Sequence, residues 1–287
     1  MKSNQINIRD PFVLLHEGKY YLYGTRGETC WGEADGFDVY VSGDMENWEG
    51  PIECFNNDGT FFATKNYWAP EVYFVNGMFY MLASFKGEDM CRGTAVLKSH
   101  SPLGPFFLHS DRCVTPDEWE CLDGTLYQSP AGKYYMVFCH EWVQAGDGEI
   151  CAMELTEDLS APAGKPFLLF RASEAQWAQP VRHSSGKVGH VTDGPFLWRT
   201  EDGTLLLLWA SFSDGGYTQG VAVSDNGDID GHFAQISPLF EKDGGHGMVF
   251  RDNGGKLWLT LHSPNEHLQE RPHFFPLQEE KGKLARL

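Results

Sequence analysis

The stretch from Ile6 to Thr25, INIRDPFVLLHEGKYYLYGT, decides the fold, because four later segments repeat its pattern. Two runs of aromatic and aliphatic residues, Phe12–Leu15 and Tyr20–Tyr23, flank a polar turn that contains Gly18. This pattern is typical of a β-hairpin. It returns in the segments that begin at Pro70, Gly124, Gly194 and Gly247. The chain therefore holds five copies of one hairpin.

A polar marker residue stands beside each copy, and the spacing of the markers indicates the architecture. The markers are 52 to 70 positions apart, and they are Asp10, Glu71, Asp123, Asp193 and His246. An Asp beside Gly or Pro is also an ordinary turn former, but turn formation alone does not explain five polar residues in equivalent places. Repeats of about this length with several short strands each are typical of β-propellers. We predict an all-β chain, a five-bladed β-propeller, whose markers meet at one end of the central channel.

The repeats predict a single domain over residues 1–287, with four strands in each blade. The expected blades cover residues 6–48, 67–108, 121–170, 190–240 and 246–287. Residues 171–188 lack period-two alternation, so we expect a connecting loop there. A chain of this length can bury about three-quarters of its unfolded surface, which is enough for a full core.

The net charge limits the classes of ligand. The 22 Lys and Arg against 40 Asp and Glu give a formal charge of −18. Such a surface repels nucleic-acid phosphates and anionic lipid, so neither nucleic acid nor a membrane is an expected partner. A neutral carbohydrate or a cation is compatible with it, and the sequence leaves the oligomeric state open.

The cysteines and the N-terminus indicate the compartment. The seven cysteines are scattered, their number is odd and no CxxC pair occurs, so neither a zinc site nor a disulfide framework is expected. The segment MKSNQINIRD lacks the apolar core of a signal peptide, and no run of about 18 apolar residues occurs. Free thiols without an export signal predict a cytoplasmic protein.

The acidic markers suggest glycoside hydrolysis. This reaction needs one ionised carboxylate, as base or nucleophile, and one protonated carboxyl group that donates to the leaving oxygen. A third carboxylate can raise the pKa of the acid by like-charge repulsion. Asp10, Asp123 and Asp193 are placed for these three roles.

Four motifs, in order and at blade spacing, resemble those of glycoside hydrolase family 43. They are RDP at 9–11, WAPEV at 68–72, LDGTLY at 122–127 and GGHGMVF at 244–250. Members of this family are five-bladed propellers that act on arabinofuranosides, xylosides and galactosides. The resemblance covers the whole chain.

The resemblance implies a role for each matching residue. Asp10 is the implied general base, and Asp123 is the residue that orients the acid and tunes its pKa. Trp68 and Glu71 are expected to line the pocket around the terminal sugar. Arg271 falls where the family commonly places an Arg that contacts the substrate.

The fifth-blade motif implies a metal role for His246. This residue is expected on the propeller axis near a bound cation, often calcium in the family. One His with backbone groups differs from the three-ligand pattern of catalytic zinc, so the cation would be a structural or electrostatic aid. No organic cofactor is expected.

The fourth-blade motif departs from the family. TDGPFLW places Asp193 where the family usually has the Glu that acts as general acid. Asp is one methylene shorter, which matters for a donor that must reach the leaving oxygen. We predict Asp193 as the acid and Glu141, in CHEWVQ, as the alternative. Trp142 is expected to contact sugar, whereas Trp31 and Trp209 are expected to pack.

The sequence thus predicts an inverting, exo-acting glycosidase that removes terminal pentose from plant-type glycans. An α-L-arabinofuranosidase is the leading interpretation, with β-xylosidase and β-galactosidase activity as alternatives. A non-catalytic carbohydrate-binding propeller is the alternative from another class, because the usual Glu is missing.

Overall fold

The computed structural model describes residues 1–287 and confirms the five-bladed β-propeller. Each blade is a four-stranded antiparallel sheet built from consecutive strands of the chain. The first strand of each blade contacts the first strand of the next, and the first strand of blade 5 contacts that of blade 1. The five first strands therefore surround one axis.

The strand bounds follow the chain. Blade 1 consists of β1 (Ile8–His16), β2 (Lys19–Arg26), β3 (Gly36–Ser42) and β4 (Trp48–Asn56). Blade 2 consists of β5 (Lys65–Val75), β6 (Met78–Lys86), β7 (Gly93–Ser99) and β8 (Phe107–Cys113). Blade 3 consists of β9 (Cys121–Gln128), β10 (Tyr134–His140), β11 (Glu149–Glu154) and β12 (Phe167–Arg171). A small hairpin of β13 (Val181–Arg182) and β14 (Val188–Gly189) precedes blade 4.

Blade 4 consists of β15 (Asp193–Arg199), β16 (Leu205–Ser213), β17 (Gly216–Ser224) and β18 (Phe233–Phe240). Blade 5 consists of β19 (Gly245–Arg251), β20 (Leu257–Ser263), β21 (Arg271–Glu280) and β22 (Lys283–Arg286). Helical structure is limited to the four-residue helix α1 (Trp142–Ala145) and the 3-10 turns Ser3–Gln5 and Ala172–Glu174.

The outer strands extend beyond the expected blade bounds. Trp48 begins β4 rather than ending blade 1, and blade 2 runs from Lys65 to Cys113. Strands such as WEGPIECFN lie at a blade edge with many exposed residues, so no clean apolar alternation marks their ends. The expected loop at 171–188 also contains the Ala172–Glu174 turn and the strand β13.

The first strand of every blade contains a β-bulge, in which two residues lie opposite one residue of the second strand. The first bulge residue has a φ between 47° and 57° in every blade, and the five are Asp10, Ala69, Asp123, Gly194 and His246. A bulge bends its strand and re-aims a side chain. These five residues are therefore the structurally equivalent positions of the propeller.

This equivalence corrects two of the five sequence markers. In blade 2 the equivalent residue is Ala69, and Glu71 lies beyond the bulge, paired with Leu82. In blade 4 the equivalent residue is Gly194, and Asp193 lies just before the bulge. Ala and Gly carry no functional group, so in the sequence the nearby acidic residue stands out in their place.

Side chains close the ring between blades 5 and 1. The partly buried Arg9 donates through Nη1 to Oε1 of Glu270 at 2.7 Å, and the Glu270 side chain is fully buried. Asn7 Nδ2 donates to the Glu270 carbonyl oxygen at 2.9 Å. Because each blade uses its own four strands, these contacts take the place of a strand shared between the first and last blades.

The core lies between the blades and is rich in aromatic side chains. The largest fully buried side chains include Tyr23, Phe37 and Phe85, while Trp209 fills the region around blade 4. All seven cysteines are free thiols. None of the helices has the length and apolar character needed to cross a membrane.

Candidate active site

A cavity of about 310 Å³ lies at the end of the channel where the bulges meet. It brings together seven of the nine side chains predicted for the site, which are Asp10, Trp68, Asp123, Glu141, Trp142, Asp193 and His246. Glu71 and Arg271 do not line it. Residues from blades 1 to 5 therefore converge on one concave site.

Asp10 lies at the bulge of β1 and is only 8% exposed. Thr25 Oγ1 donates to Asp10 Oδ2 at 2.6 Å, and the Asp10 backbone N–H donates to Nδ1 of His262 at 3.1 Å. Burial by itself raises the pKa of Asp10, but the charges of His246 and Arg9 outweigh it and hold this pKa well below its usual range. Asp10 is therefore ionised at neutral pH, as a general base must be.

His246 lies between two carboxylates. Its Nδ1 is 3.1 Å from Oδ1 of Asp10 and 3.8 Å from Oδ2 of Asp123. Burial lowers the pKa of His246, but the charges of Asp10 and Asp123 overcome this and raise it to about 10. Because one side chain of blade 5 reaches residues of blades 1 and 3, it lies at the propeller axis. At neutral pH it is an imidazolium.

Asp123 is held by groups from two neighbouring blades. Its backbone N–H donates to Ser84 Oγ at 2.8 Å, and the Gly194 N–H donates to its Oδ2 at 3.0 Å. Burial raises the pKa of Asp123, the imidazolium of His246 lowers it and the charge of Asp10 raises it. The net effect is a raised pKa of Asp123, and its charged form in turn raises the pKa of Asp193.

Gly194 lies in close contact with the His246 ring. A Cβ atom at position 194 would lie 2.4 Å from Cδ2 of His246, and the residue has a φ of +48°. Only glycine meets both conditions, because it has no Cβ and adopts positive φ readily. The Gly-Pro turn after Asp193 is therefore a steric requirement of the axial His.

Asp193 is a buried carboxyl group of the site with a raised pKa. Tyr217 donates its hydroxyl to Asp193 Oδ2 at 3.0 Å. Burial raises the pKa of Asp193 to about 7, with the charges of Asp123 and Glu141 adding to the shift. A carboxyl group with this pKa is substantially protonated near neutral pH, which suits a general acid.

Glu141 is the N-cap residue of α1 and is ion-paired with Arg92. The Arg92 guanidinium also lies over the Trp68 ring, with Cζ 4.5 Å from the ring centroid. The Glu141 carboxylate thus contacts a cation, whereas that of Asp193 accepts from the neutral hydroxyl of Tyr217. Glu141 also borders a second cavity, of about 390 Å³, that adjoins the first.

The tryptophans of the site differ in exposure. Trp142 begins α1, is buried and lines the cavity. Trp68 donates its Nε1–H to the carbonyl oxygen of Cys30, which fixes its ring against the loop between β2 and β3. Trp31 lies in that loop, also lines the cavity and is 61% exposed, so the expectation that it packs in the interior is wrong. Trp209, in contrast, is fully buried in the core, as expected.

Two residues expected in the pocket lie elsewhere. Glu71 is buried behind the cavity, where Tyr73 donates its hydroxyl to it, and burial raises the pKa of Glu71 to about 7. The guanidinium of Arg271 donates to the backbone carbonyl oxygens of Asn4, Leu268 and Glu270. Both side chains are engaged in structural contacts, because Glu71 follows the bulge and Arg271 lies at the seam between blades 5 and 1.

Polar residues that no sequence expectation names line the cavity, as Arg9 and Asn265 do, or lie behind it, as the fully buried His262 does. Arg9 donates through Nη2 to Asn265 Oδ1 at 2.9 Å, and His262 Nε2 lies 3.1 Å from the same oxygen. Burial and the charge of Arg9 lower the pKa of His262 to about 3, so this imidazole is neutral. The neighbour of Asp10 in RDP was a usable signal for Arg9, whereas no pattern marks Asn265 or Tyr217.

The residues at the axis do not fit a directly coordinated cation. No group of three His, Cys, Asp or Glu side chains has an arrangement that could hold a metal ion. The Nδ1 of His246, the expected ligand, faces Asp10 and Asp123 as an ion-pair partner. A calcium ion near the axis, held in another way, stays a prediction.

The family model for glycosyl hydrolases family 43 matches residues 4–280. Among solved structures, an endo-arabinase from Bacteroides thetaiotaomicron VPI-5482 is 38% identical, with a TM-score of 0.93 over 99% of this chain and 98% of that one. An endo-1,4-beta-xylanase from the same organism is 25% identical, with a TM-score of 0.81 over 100% of this chain and 96% of that one.

A curated relative gives a partial match. A probable arabinan endo-1,5-alpha-L-arabinosidase A from Emericella nidulans is 27% identical over 150 residues. The match covers 49% of this chain and 44% of the relative, which is less than half of either length.

Proposed function

The chain belongs to glycosyl hydrolases family 43, and on that premise we propose that it is an inverting, endo-acting arabinanase that cleaves within α-1,5-linked arabinan. As a member of this family it is a glycoside hydrolase with a carbohydrate substrate. The proposal adds the sugar, the position of cleavage and the roles of the site residues.

One observation carries the mechanism: two buried carboxyl groups of one cavity have opposite pKa shifts. The pKa of Asp10 is held well below its usual range, while that of Asp193 is raised to about 7. Two titratable groups whose environments push their pKa values apart are a base and an acid. We assign Asp10 as the base and Asp193 as the acid.

In this mechanism Asp10 takes a proton from a water molecule that attacks the anomeric carbon. Asp193 gives its proton to the oxygen of the departing chain, so that the bond to that oxygen breaks as the bond to water forms. Asp123 raises the pKa of the acid through its charge, and His246 keeps Asp10 ionised. The water between base and sugar makes the anomeric configuration invert.

The endo mode replaces the exo mode expected from the sequence. An exo-acting enzyme needs a closed pocket for a terminal sugar, whereas an endo-acting one needs a cleft that continues past the cleavage point. Here a second cavity adjoins the first at Glu141 and is lined by Arg92, Gln144 and Lys187, among others. The similar proteins whose names refer to arabinan are also endo-acting.

The test is product analysis on linear α-1,5-arabinan, with xylan and nitrophenyl α-L-arabinofuranoside in parallel. We expect a mixture of arabino-oligosaccharides from the start of the reaction and little action on the nitrophenyl glycoside. Release of arabinose alone would show that the enzyme is exo-acting. Cleavage of xylan with arabinan left intact would show that xylan, and not arabinan, is the substrate.

Proton NMR of the first products tests the mechanism. The newly formed reducing end should be the opposite anomer to the linkage cleaved, and the Asp10→Asn variant should lose at least about 100-fold in kcat. A retained anomer, or a variant of near-normal activity, would contradict the role of Asp10.

A further inference from the structure

Trp31 is an exposed aromatic side chain beside a catalytic cavity. Large apolar side chains that are scattered singly on a surface need no explanation. Trp31 differs from the other exposed ones, such as Phe107, because it alone among them lines the cavity that holds Asp10 and Asp193. Its position therefore indicates contact with a ligand rather than packing in the core.

The backbone on both sides of Trp31 is fixed. The carbonyl oxygen of Cys30 accepts the indole N–H of Trp68, and Cys30 itself is buried. The carbonyl oxygen of Gly32 accepts the N–H of Asn66 at 3.4 Å. The loop is thus pinned to blade 2 on either side of the exposed indole, and ordering this segment on binding costs little entropy.

The indole ring is supported from one side and open on the other. The Arg9 guanidinium lies over the ring, with Cζ 5.1 Å from the centroid. The Trp68 ring meets it edge-on, with centroids 5.6 Å apart and an interplanar angle of 75°. These contacts hold the orientation of the ring and leave most of it in solvent, since the residue is 61% exposed.

We propose that Trp31 is the stacking platform for an arabinosyl unit outside the cleavage point, and that it makes the enzyme prefer long arabinan chains. The proposal rests on the proposed function, because it names arabinan as the ligand. The ring C–H groups of a sugar pack on the flat apolar face of an indole, and a rigid aromatic side chain binds with small entropic loss. Arg9 is held by Glu270 and Asn265, so loss of the indole leaves the contacts of the base region in place.

The test compares Trp31→Ala and Trp31→Phe with the wild-type protein on arabino-oligosaccharides of increasing length and on linear arabinan. For Trp31→Ala we expect a loss that grows with chain length, reaching about a tenfold rise in KM on the polymer. Trp31→Phe keeps a flat ring and should therefore show only a small part of the loss expected for Trp31→Ala. Phe107→Ala, at an exposed aromatic residue outside this cavity, is the matched control and should behave as wild type.

The outcomes separate the two proposals. A wild-type enzyme that cleaves arabinan, with Trp31→Ala matching it at every length or losing equally at every length, overturns the platform and leaves the proposed function intact. A wild-type protein that leaves arabinan uncut overturns the proposed function, and the platform for arabinan with it. Thermal melting of both Trp31 variants checks that the loop stays folded, and rescue by Phe would not follow from a general folding defect.

Discussion

Nδ1 of His246 lies 3.1 Å from Oδ1 of Asp10, so the last blade supplies the counter-ion of the carboxylate that the first blade carries. Both groups are almost completely buried. Each raises the stability of the charged form of the other, which is why their pKa values move in opposite directions. The pair links the protonation of the site to the stability of the fold.

His246→Gln should destabilise the protein by about 3 kcal/mol at pH 7, since it leaves a buried carboxylate without its partner. The pKa of His246 rises on folding from 6.5 to about 10, so its contribution is complete below pH 6.5 and is lost as the pH rises through about 10. Folding lowers the pKa of Asp10. The stability that this carboxylate contributes is therefore lost on the acid side, as the pH falls below the pKa that Asp10 has in the unfolded chain. Denaturant unfolding at pH 7 and above pH 10 measures the difference.

The control for this measurement is His100→Gln, at an exposed position. It should leave the free energy of unfolding unchanged at both pH values. If His246→Gln lowered the free energy of unfolding by the same amount above pH 10 as at pH 7, the ring would stabilise the fold by packing and not by its charge.

The activity should fall on the basic side near pH 7, because Asp193 must be protonated to act as the acid. On the acid side, the activity should fall only at a pH below the usual pKa range of carboxyl groups, because Asp10 becomes protonated only there. The charge of Glu141 helps to raise the pKa of Asp193, so Glu141→Gln should move the basic limb to lower pH. Profiles of kcat/KM on arabinan check this, and an unmoved limb in Glu141→Gln contradicts the coupling.

The identity of the acid can be tested through the leaving group. A nitrophenolate departs without protonation, whereas a sugar alkoxide requires it. Asp193→Ala should therefore lose about 100-fold or more on an arabino-oligosaccharide and far less on the dinitrophenyl glycoside of an arabino-oligosaccharide, which still fills the cleft. Glu141→Ala should lose similar factors on both. The opposite pattern would make Glu141 the acid.

Gly194→Ala should inactivate the enzyme and lower its melting temperature. The new Cβ would lie 2.4 Å from the His246 ring, so the imidazole must leave the axis. Gly132→Ala is the matched control, because Gly132 also has a positive φ, of +82°, but has no atom within 4 Å of a new Cβ. Gly132→Ala should lower the stability by only about 1 kcal/mol, the cost of a non-glycine residue at positive φ. Its activity should be that of wild type. Equal effects at both positions would show that φ alone matters.

Much of the fold could be predicted because each blade repeats an inner hairpin with a clear alternation of apolar residues. The four-stranded blades and their order follow from the five copies. The outer strands could not be delimited in the same way, since residues such as Glu49 and Glu53 on β4 face solvent and interrupt the pattern. Only the register of the sheet reveals where these strands end.

The site was predictable where a motif carries a functional side chain at the bulge itself, as with Asp10, Asp123 and His246. It was not predictable where the bulge residue is small. Ala69 and Gly194 have no chemistry to mark them, so the pattern treats Glu71 and Asp193 as equivalents of Asp10, although they lie one or two positions away; of these two, Asp193 lines the cavity and Glu71 does not. Tyr217 comes from the third strand of blade 4, and only the folded structure shows that it reaches Asp193.

The Arg9–Glu270 contact has a consequence for how the enzyme fails under stress. Blade 1 carries Asp10 and blade 5 carries His246, so the joint that closes the circle passes through the catalytic centre. A fluctuation that parts these two blades separates the base from its imidazolium while every sheet keeps its own hydrogen bonds. A crosslink placed across this joint should therefore hold Asp10 and His246 in register directly, which a crosslink within a single blade would not do.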